Sequence, residues 1–505
     1  MNPIVDDFQL LEPFSLNQFR GFQREIISRT LKGKHSLVIM PTGGGKSLCF
    51  QAPALYWYRQ QKSIAKLSPL TIVLSPLIAL MKDQVDALAG KGIPATFVNS
   101  SLDRSERNAR YESIRNGEYA ILYVTPERFR KPDFVGCLKN REIRLLAVDE
   151  AHCISQWGHD FRPDYTRVAE FRSLLGNPPT IALTATATPE VQQDIAIQLG
   201  LDGIGPEENQ CQLFHEGIDR PNLELAVSEV WGFDEKIEMI KKSLAKWMND
   251  ASESKNRGSA IIYFTLIRTL DAFSERLRKS GVQHSCYHGD LSRHHRKLIQ
   301  DDFMKGKMQL VLATNAFGMG VDKSNIRLVI HADVPNSLES YYQEVGRAGR
   351  DGLPSECRLL YDGDDLATQM EFIRWSNPDA DFYQRIHHFL TSDLDRVRGF
   401  GMDWLRLQLC GKNKQDRRLE TALGMLERFG VIDQWEDLSV MELLEDSLPD
   451  SLTDSSQLAS KLLNDQKKLY AIVQYVQSTE DRQSLLRRYF GAEGHSSFQA
   501  TSSLL

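Results

Sequence analysis

The stretch Met40-Pro41-Thr42-Gly43-Gly44-Gly45-Lys46-Ser47 constrains this chain more than any other. It follows an apolar run at 36–40 and leads into a segment with helical spacing, 48–58. Glycines between a buried strand and a helix let the backbone wrap a phosphate chain, its N–H groups converging at a helix N-terminus. Lys46 is spaced to reach the outer phosphates, and the Ser47 hydroxyl to ligate Mg²⁺. The strict phosphate-loop pattern asks for Gly where Met40 stands, so the match rests on the T-G-G-G-K-S run and its place between strand and helix. A strand–loop–helix of this kind implies a parallel α/β sheet.

The rhythm of the chain supports that. Short apolar runs at 36–40, 71–75, 120–124, 145–148 and 180–183 are bounded by Pro, Gly or polar residues and separated by amphipathic stretches. Buried parallel strands alternating with helices read this way. A second series, 260–264, 309–313 and 327–331, implies a second unit of the same kind. Residues 206–209 read as the join between the two, and 249–258 as a polar surface loop. Beyond about 365 the strand rhythm gives way to charged, helical sequence. There, 420–429 reads as a helix with a glycine stop and a short strand after it, compatible with a winged-helix module. Residues 443–457, acidic and rich in Ser, Asp and Pro, read as a linker.

With 505 residues, three domains are expected. The seven cysteines are scattered without C-x-x-C spacing, which points to reduced thiols rather than a disulfide framework or a closed zinc site. No apolar run approaches the roughly 20 residues of a membrane span, and the acidic N-terminus lacks the order of a secretory signal. A cytoplasmic protein is expected, nucleoid-associated if bacterial. The net charge of −6 excludes a histone-like polycation. It does not exclude DNA binding, which depends on local basic patches such as Arg104–Arg115, those at 128–131, and those at 293–297.

Two more constellations carry chemistry. Asp149-Glu150-Ala151-His152 directly follows the apolar run at 145–148. A carboxylate at a strand end beside a phosphate loop is where Mg²⁺ is held, so Asp149 is the expected metal partner. Glu150 is placed to orient and deprotonate a water. In the second unit, Gln343-Glu344-Val345-Gly346-Arg347-Ala348-Gly349-Arg350 sets two arginines three apart, on one helix face. An arginine delivered from another body stabilises the charge that develops in phosphoryl transfer.

These elements, in this order, resemble a superfamily 2 helicase, and more closely the RecQ family. Phe19-Arg20-Gly21-Phe22-Gln23 resembles the family's adenine-reading element, which implies that Gln23 reads the base edge and Arg20 stacks on the ring. The segments at 75–84 and 125–128, which include Arg128, resemble strand-tracking motifs, and Thr184-Ala185-Thr186-Ala187-Thr188 resembles the lobe-coupling motif. Tyr287-His288-Gly289 and the run at 314–322, with Gly320 and Asp322, are similar to second-lobe motifs. Residues 151–165 resemble the family's aromatic-rich loop, which implies that Trp157, Phe161 and Arg162 contact single-stranded DNA and couple it to hydrolysis. The rings offer stacking faces and the arginine offers charge.

The sequence departs from the family at two places. Phe14-Ser15-Leu16 stands where Phe-Gly-Tyr is usual. Asp481 stands where the first Cys of a zinc subdomain belongs, ahead of Arg482–Tyr489 and Phe490-Gly491. The later cysteines are replaced by Ala-Glu-Gly-His-Ser-Ser. One Asp and one His cannot close a tetrahedral site, so no structural zinc is expected. Tyr470, Ile472, Val473, Tyr475, Val476, Leu485 and Leu486 are the apolar residues available to hold that segment instead.

The expectation is therefore an α/β chain. It has two tandem RecA-like lobes, 1–208 and 209–362, and a mostly helical C-terminal region, 363–505, which includes the stretch compatible with a winged-helix module. The resemblance implies an ATP- and Mg²⁺-dependent DNA helicase moving 3′ to 5′, acting on single strands and duplex junctions, without a membrane and as a monomer. The alternatives are a duplex translocase, an RNA remodeller of the same superfamily, or a non-catalytic DNA-binding scaffold.

Overall fold

A computed structural model of the chain describes residues 6–62, 67–155, 162–205, 207, 210–250, 258–318, 321–411, 413 and 416–492. Among them, the first lobe is a wholly parallel sheet. Its strands are β1 (Ser36–Ile39), β2 (Leu70–Leu74), β3 (Ala95–Val98), β4 (Ile121–Val124), β5 (Ile143–Val148), β6 (Thr180–Thr184) and β7 (Gln212–His215), in the order β3-β4-β2-β5-β6-β1-β7. β1, β2, β4 and β6 are buried on both faces, which explains their unbroken apolar sequence. Helices cover each face, and two apolar clusters fill the layers, one around Phe50 and Val73, the other around Ile72 and Phe134.

The second lobe repeats the plan with β8 (Leu223–Glu229), β9 (Ser259–Tyr263), β10 (Ser285–Tyr287), β11 (Leu310–Ala313), β12 (Ile326–His331) and β13 (Ser355–Tyr361), ordered β10-β11-β9-β12-β13-β8 and again parallel throughout. The apolar runs of the sequence become strands of both sheets. The strands without a continuous apolar run, β3, β7, β8, β10 and β13, went unread. Four of them are edge strands, and β13 alternates buried residues with Glu356 and Arg358.

Ala380–Ser392, Leu394–Cys410 and Arg418–Arg428 pack a separate apolar core around Ile386, Leu405 and Leu423. The strand expected after Gly430 is reduced to a single antiparallel bridge, Ile432 with Leu443. The linker expected at 443–457 is instead folded. Leu452 is fully buried in that core, and the Asp454 carboxylate caps the helix Ser455–Gln477 by accepting from the Ser456 and Gln457 N–H groups. Its Asp, Ser and Pro residues act as turn and cap formers rather than as solvated chain.

The helix Ser455–Gln477 touches that core only at its start, through half-buried Leu458, and then leaves it with the helix Arg482–Tyr489. Ile472, Tyr475, Leu486, Phe490 and Ala492 enter the core of the second lobe, beside Tyr341 and Tyr342. Tyr470, expected to be buried, is 61% exposed. Leu469, Ile472 and Tyr475 recur at helical spacing on the docked face, and Tyr470 falls off it. Asp481, at the position of the family's first Cys, caps the last helix: its carboxylate accepts from the Ser484 N–H at 2.8 Å and the Ser484 hydroxyl at 2.9 Å. Among the described residues no three His, Cys, Asp or Glu side chains stand close enough to hold a metal. No described helix is long and apolar enough to cross a membrane. The seven cysteines carry no disulfide.

Leu486→Ala is expected to cost roughly 2–5 kcal/mol, because it leaves a cavity in the second lobe's own core. Denaturant unfolding would show it as a lowered midpoint. A midpoint equal to that of the unsubstituted chain would mean that the terminal helix is only appended to the lobe.

Candidate active site

The site lies at the carboxyl ends of β1, β5 and β6, where helix N-termini and strand ends converge. The phosphate-type loop leaves β1 at Met40 and enters the helix Leu48–Lys62. Gly43 and Gly45 take φ of +80° and +83°, values that side chains rarely adopt. A Cβ on Gly45 would meet Gln23 Nε2 at 2.4 Å. Gln23 packs on the loop because its amide donates to the Gly44 and Gly45 carbonyls, each at 3.2 Å, while its Oε1 accepts from the Arg20 N–H at 2.9 Å. Glu216, just past β7, steadies the same turn by accepting from the Phe22 N–H at 2.8 Å. The Arg20 side chain is exposed.

Lys46 donates to the Met40 carbonyl at 3.0 Å. Burial lowers its proton affinity; Glu150 and Asp149 act the other way. Asp149 follows β5, its N–H held by the Leu74 carbonyl at 2.8 Å. Burial, then the neighbouring Glu150, push its carboxyl well above the usual carboxylate range. A carboxyl whose charge burial disfavours is one whose charge a nearby cation restores. Glu150 sits in the left-handed region, φ 48° and ψ 48°, a strained setting for a non-glycine residue. Its Oε2 is buried and accepts no hydrogen bond from the described residues. His152 Nδ1 lies 3.4 Å from that oxygen and 3.0 Å from Thr184 Oγ1. Thr184 in turn donates to the Thr186 carbonyl at 3.1 Å. The acidic motif and the Thr184–Thr188 motif are thus one hydrogen-bonded unit. The positive-φ glycines, the helix N-terminus, the amine and the paired carboxylates fit a Mg²⁺-bound nucleoside triphosphate.

The second lobe closes the other side. The helix Leu338–Val345 ends at Gly346, whose carbonyl accepts from the Thr42 hydroxyl at 3.1 Å. The Arg350 Cδ lies 3.6 Å from where a Gly43 Cβ would stand, and its guanidinium pairs with Asp322 at 2.5 Å. Arg347 is buried and donates to the Gly318 carbonyl. Ser47, at the head of its helix, is half-buried.

Of the expected nucleic-acid contacts, Arg162 donates to the Pro76 carbonyl at 3.1 Å, and so ties the end of the aromatic stretch to the 75–84 motif. Arg128 is half-exposed on the 3-10 turn Pro126–Arg130, apart from the nucleotide residues. Trp157, Phe161 and Gly320 lie outside the described residues.

The chain is similar to known proteins. The DEAD/DEAH box helicase family matches residues 20–195, and the helicase conserved C-terminal domain matches 235–352. The ATP-dependent DNA helicase RecQ of Bacillus subtilis is 42% identical over 365 residues, 72% of this chain and 57% of that protein. The probable ATP-dependent DNA helicase RecS of the same organism is 37% identical over 374 residues, 74% of this chain and 70% of RecS. The chain belongs to the RecQ family. It spans little more than half the length of the RecQ protein it matches. Among solved structures, Saccharomyces cerevisiae Dbp5 bound to RNA and ADP BeF3 shares the fold, with a TM-score of 0.55 and 19% identity over 72% of this chain and 90% of that one. Mycobacterium smegmatis Lhr bound to single-stranded DNA and AMP-PNP gives 0.52 and 21% over 83% and 57%.

Sequence reading of this RecQ-family chain missed Arg220. Its guanidinium donates to the Gly346, Ala348 and Gly349 carbonyls at 3.2, 2.7 and 3.0 Å, and Asn222 adds a bond to Gly349 at 2.8 Å. The pair fixes the turn that carries Arg347 and Arg350. The available signal was Arg220-Pro221-Asn222 directly before β8.

Gly45→Ala is expected to weaken ATP-analogue binding about tenfold or more, since left-handed backbone costs an L-residue about 1–2 kcal/mol and the methyl displaces Gln23. Gly92→Ala shares the strain, φ +70°, but has nothing within 4 Å and lies elsewhere, so it should leave nucleotide affinity unchanged. Nucleotide titration of both variants checks the pair. Equal affinity in the two would contradict the assigned loop.

Proposed function

We propose that this chain is an ATP-dependent DNA helicase: it hydrolyses ATP between its lobes and uses the resulting change to move 3′ to 5′ along one DNA strand, separating a duplex in repair or recombination. The observation that carries the reading is the meeting of two bodies at one loop, Thr42 bonded to Gly346 and Arg350 laid against Gly43. A phosphate loop alone makes a nucleotide binder. An arginine brought to it from a second lobe makes hydrolysis and lobe movement one event.

Each residue has a role in this reading. Gln23, and Arg20 beside it, hold the base; Thr42, Gly43, Gly44, Gly45 and Lys46 hold the phosphates. Ser47 and Asp149 would hold Mg²⁺, which when bound neutralises charge on the phosphate oxygens. Glu150 receives the proton of the attacking water; its buried Oε2, with His152 Nδ1 at 3.4 Å and no hydrogen bond from the described residues, supports that assignment. Arg347 and Arg350 stabilise the charge spread over the transferred group. His152 and Thr184 join Glu150 to the motif between the lobes, so a change at the phosphate reaches the DNA-gripping surfaces. Gly320 and Asp322 are assigned to the nucleotide from the second lobe's motif, and Arg350 pairs with Asp322. Arg128, Trp157, Phe161 and Arg162 contact the strand. The working form is a monomer, and no zinc is required.

Lys46→Ala is expected to abolish hydrolysis. Arg350→Ala should lower kcat about 10³-fold or more, with ATP-analogue affinity changed only a few-fold. Both variants should lose strand separation on a 3′-tailed duplex, and the unsubstituted chain should act poorly on a 5′-tailed one. Undiminished turnover in Lys46→Ala would contradict the phosphate role. Equal unwinding of both tails would contradict the direction.

A further inference from the structure

A cavity of about 780 Å³ lies outside the ATP site, where three bodies meet. Ile154 and Gln198 come from the first lobe. Phe372 and Trp375 come from the helix Asp365–Ser376, which follows the last strand of the second lobe. Arg417, Arg428 and Phe429 come from the helix Arg418–Arg428 and its flanks. Lys461 and Lys468, from the helix Ser455–Gln477, close the remaining side.

Three features set this cavity apart from a solvent cleft. Its chemistry is mixed: half-buried aromatic rings, Phe372 and Trp375 with centroids 5.3 Å apart, stand among four cations, Arg417, Arg428, Lys461 and Lys468, with Asp465 as the only carboxylate among the described lining residues. Its cations outnumber its carboxylates. Lys461 and Lys468 share Asp465 and Arg417 pairs with Glu420, whereas Arg428 is exposed, with only the charge of Asp164 acting at longer range. Finally, it is joined to the coupling machinery. Ile154 lies near the start of the aromatic-rich stretch 151–165, and Arg130 ties the far end of that stretch to the C-terminal region. Its guanidinium pairs with Asp164 and donates to the Arg428 carbonyl at 2.6 Å.

Rings beside cations, in a groove lined by three bodies, suit a single strand of nucleic acid. Bases stack on any aromatic face and phosphates need only positive charge. We propose that this three-body cavity is a single-stranded DNA subsite, with Trp375 as a base-stacking platform and Arg428 as a phosphate contact. The proposal rests on the helicase reading and extends it. The strand is gripped by the C-terminal region as well as by the lobes, at the point where the helix Arg418–Arg428 touches the first lobe.

The test is binding of a fluorescein-labelled oligodeoxythymidine to the full chain, followed by anisotropy across a salt series. Trp375→Ala is expected to weaken binding about tenfold, within the range that loss of one stacking platform produces. Trp375→Phe, which keeps a stacking face, should recover most of the affinity. Arg428→Ala should reduce the slope of log affinity against log salt by about one. Trp231→Ala, removing a ring that is 69% exposed on another face, should bind as the unsubstituted chain does. Unchanged affinity and slope in Trp375→Ala and Arg428→Ala would overturn the subsite while leaving ATP hydrolysis and its DNA stimulation intact. Loss of duplex binding alone in these variants would likewise overturn it. An unsubstituted chain that bound no single strand would overturn this subsite together with the helicase reading.

Discussion

Everything else in the molecule is arranged around one contact, the carboxyl end of the helix Leu338–Val345 set against the phosphate loop of the other lobe. In the proposed reading neither side does the chemistry alone. The first lobe brings amide donors and Lys46 on the loop and two carboxylates at the end of β5, and the second lobe brings Arg347 and Arg350, suited to the charge that develops in phosphoryl transfer. Both halves must be held to within a fraction of an ångström, so the supporting structure carries as much of the function as the site itself.

That support is layered. Arg220 and Asn222, in the segment joining the lobes, hold the arginine turn by its carbonyls. The terminal helix Arg482–Tyr489 holds that segment in turn: Gln483 donates to the Arg220 carbonyl at 3.1 Å and Arg487 pairs with Asp219 at 2.6 Å. Tyr489 donates to Glu339 at 2.9 Å, and Phe490 packs against Tyr342, both on the helix that leads to the arginines. Apolar burial and an Asp cap thus anchor a segment that resembles a zinc-bound one elsewhere in the family. It lies beside the inter-lobe join, with Gly491 against Pro189 of the first lobe, and so touches both lobes.

Much of this was legible in the sequence because the informative signals are local. A continuous apolar run reads as a doubly covered strand and became one, and the glycine run ending in Lys-Ser stands, as read, between β1 and a helix, with Gly43 and Gly45 at positive φ. What could not be read depends on partners far along the chain. Arg220 meets Gly346 across 126 residues, and no local pattern announces it. Edge strands such as β8 lack the apolar signature because one side faces solvent. The acidic stretch at 443–457 has the composition of a linker, yet its polar residues serve as caps and turns around a buried Leu452. Tyr470 shows that apolar content alone does not assign burial; phase along the helix does.

The account comes down to whether cleavage of the triphosphate and grip on the polynucleotide are one process. The direct measurement is the rate of ATP hydrolysis by the unsubstituted chain with and without saturating single-stranded DNA. The account predicts a turnover that rises severalfold or more when the strand is present. A rate indifferent to DNA would separate the two halves of the mechanism and contradict it.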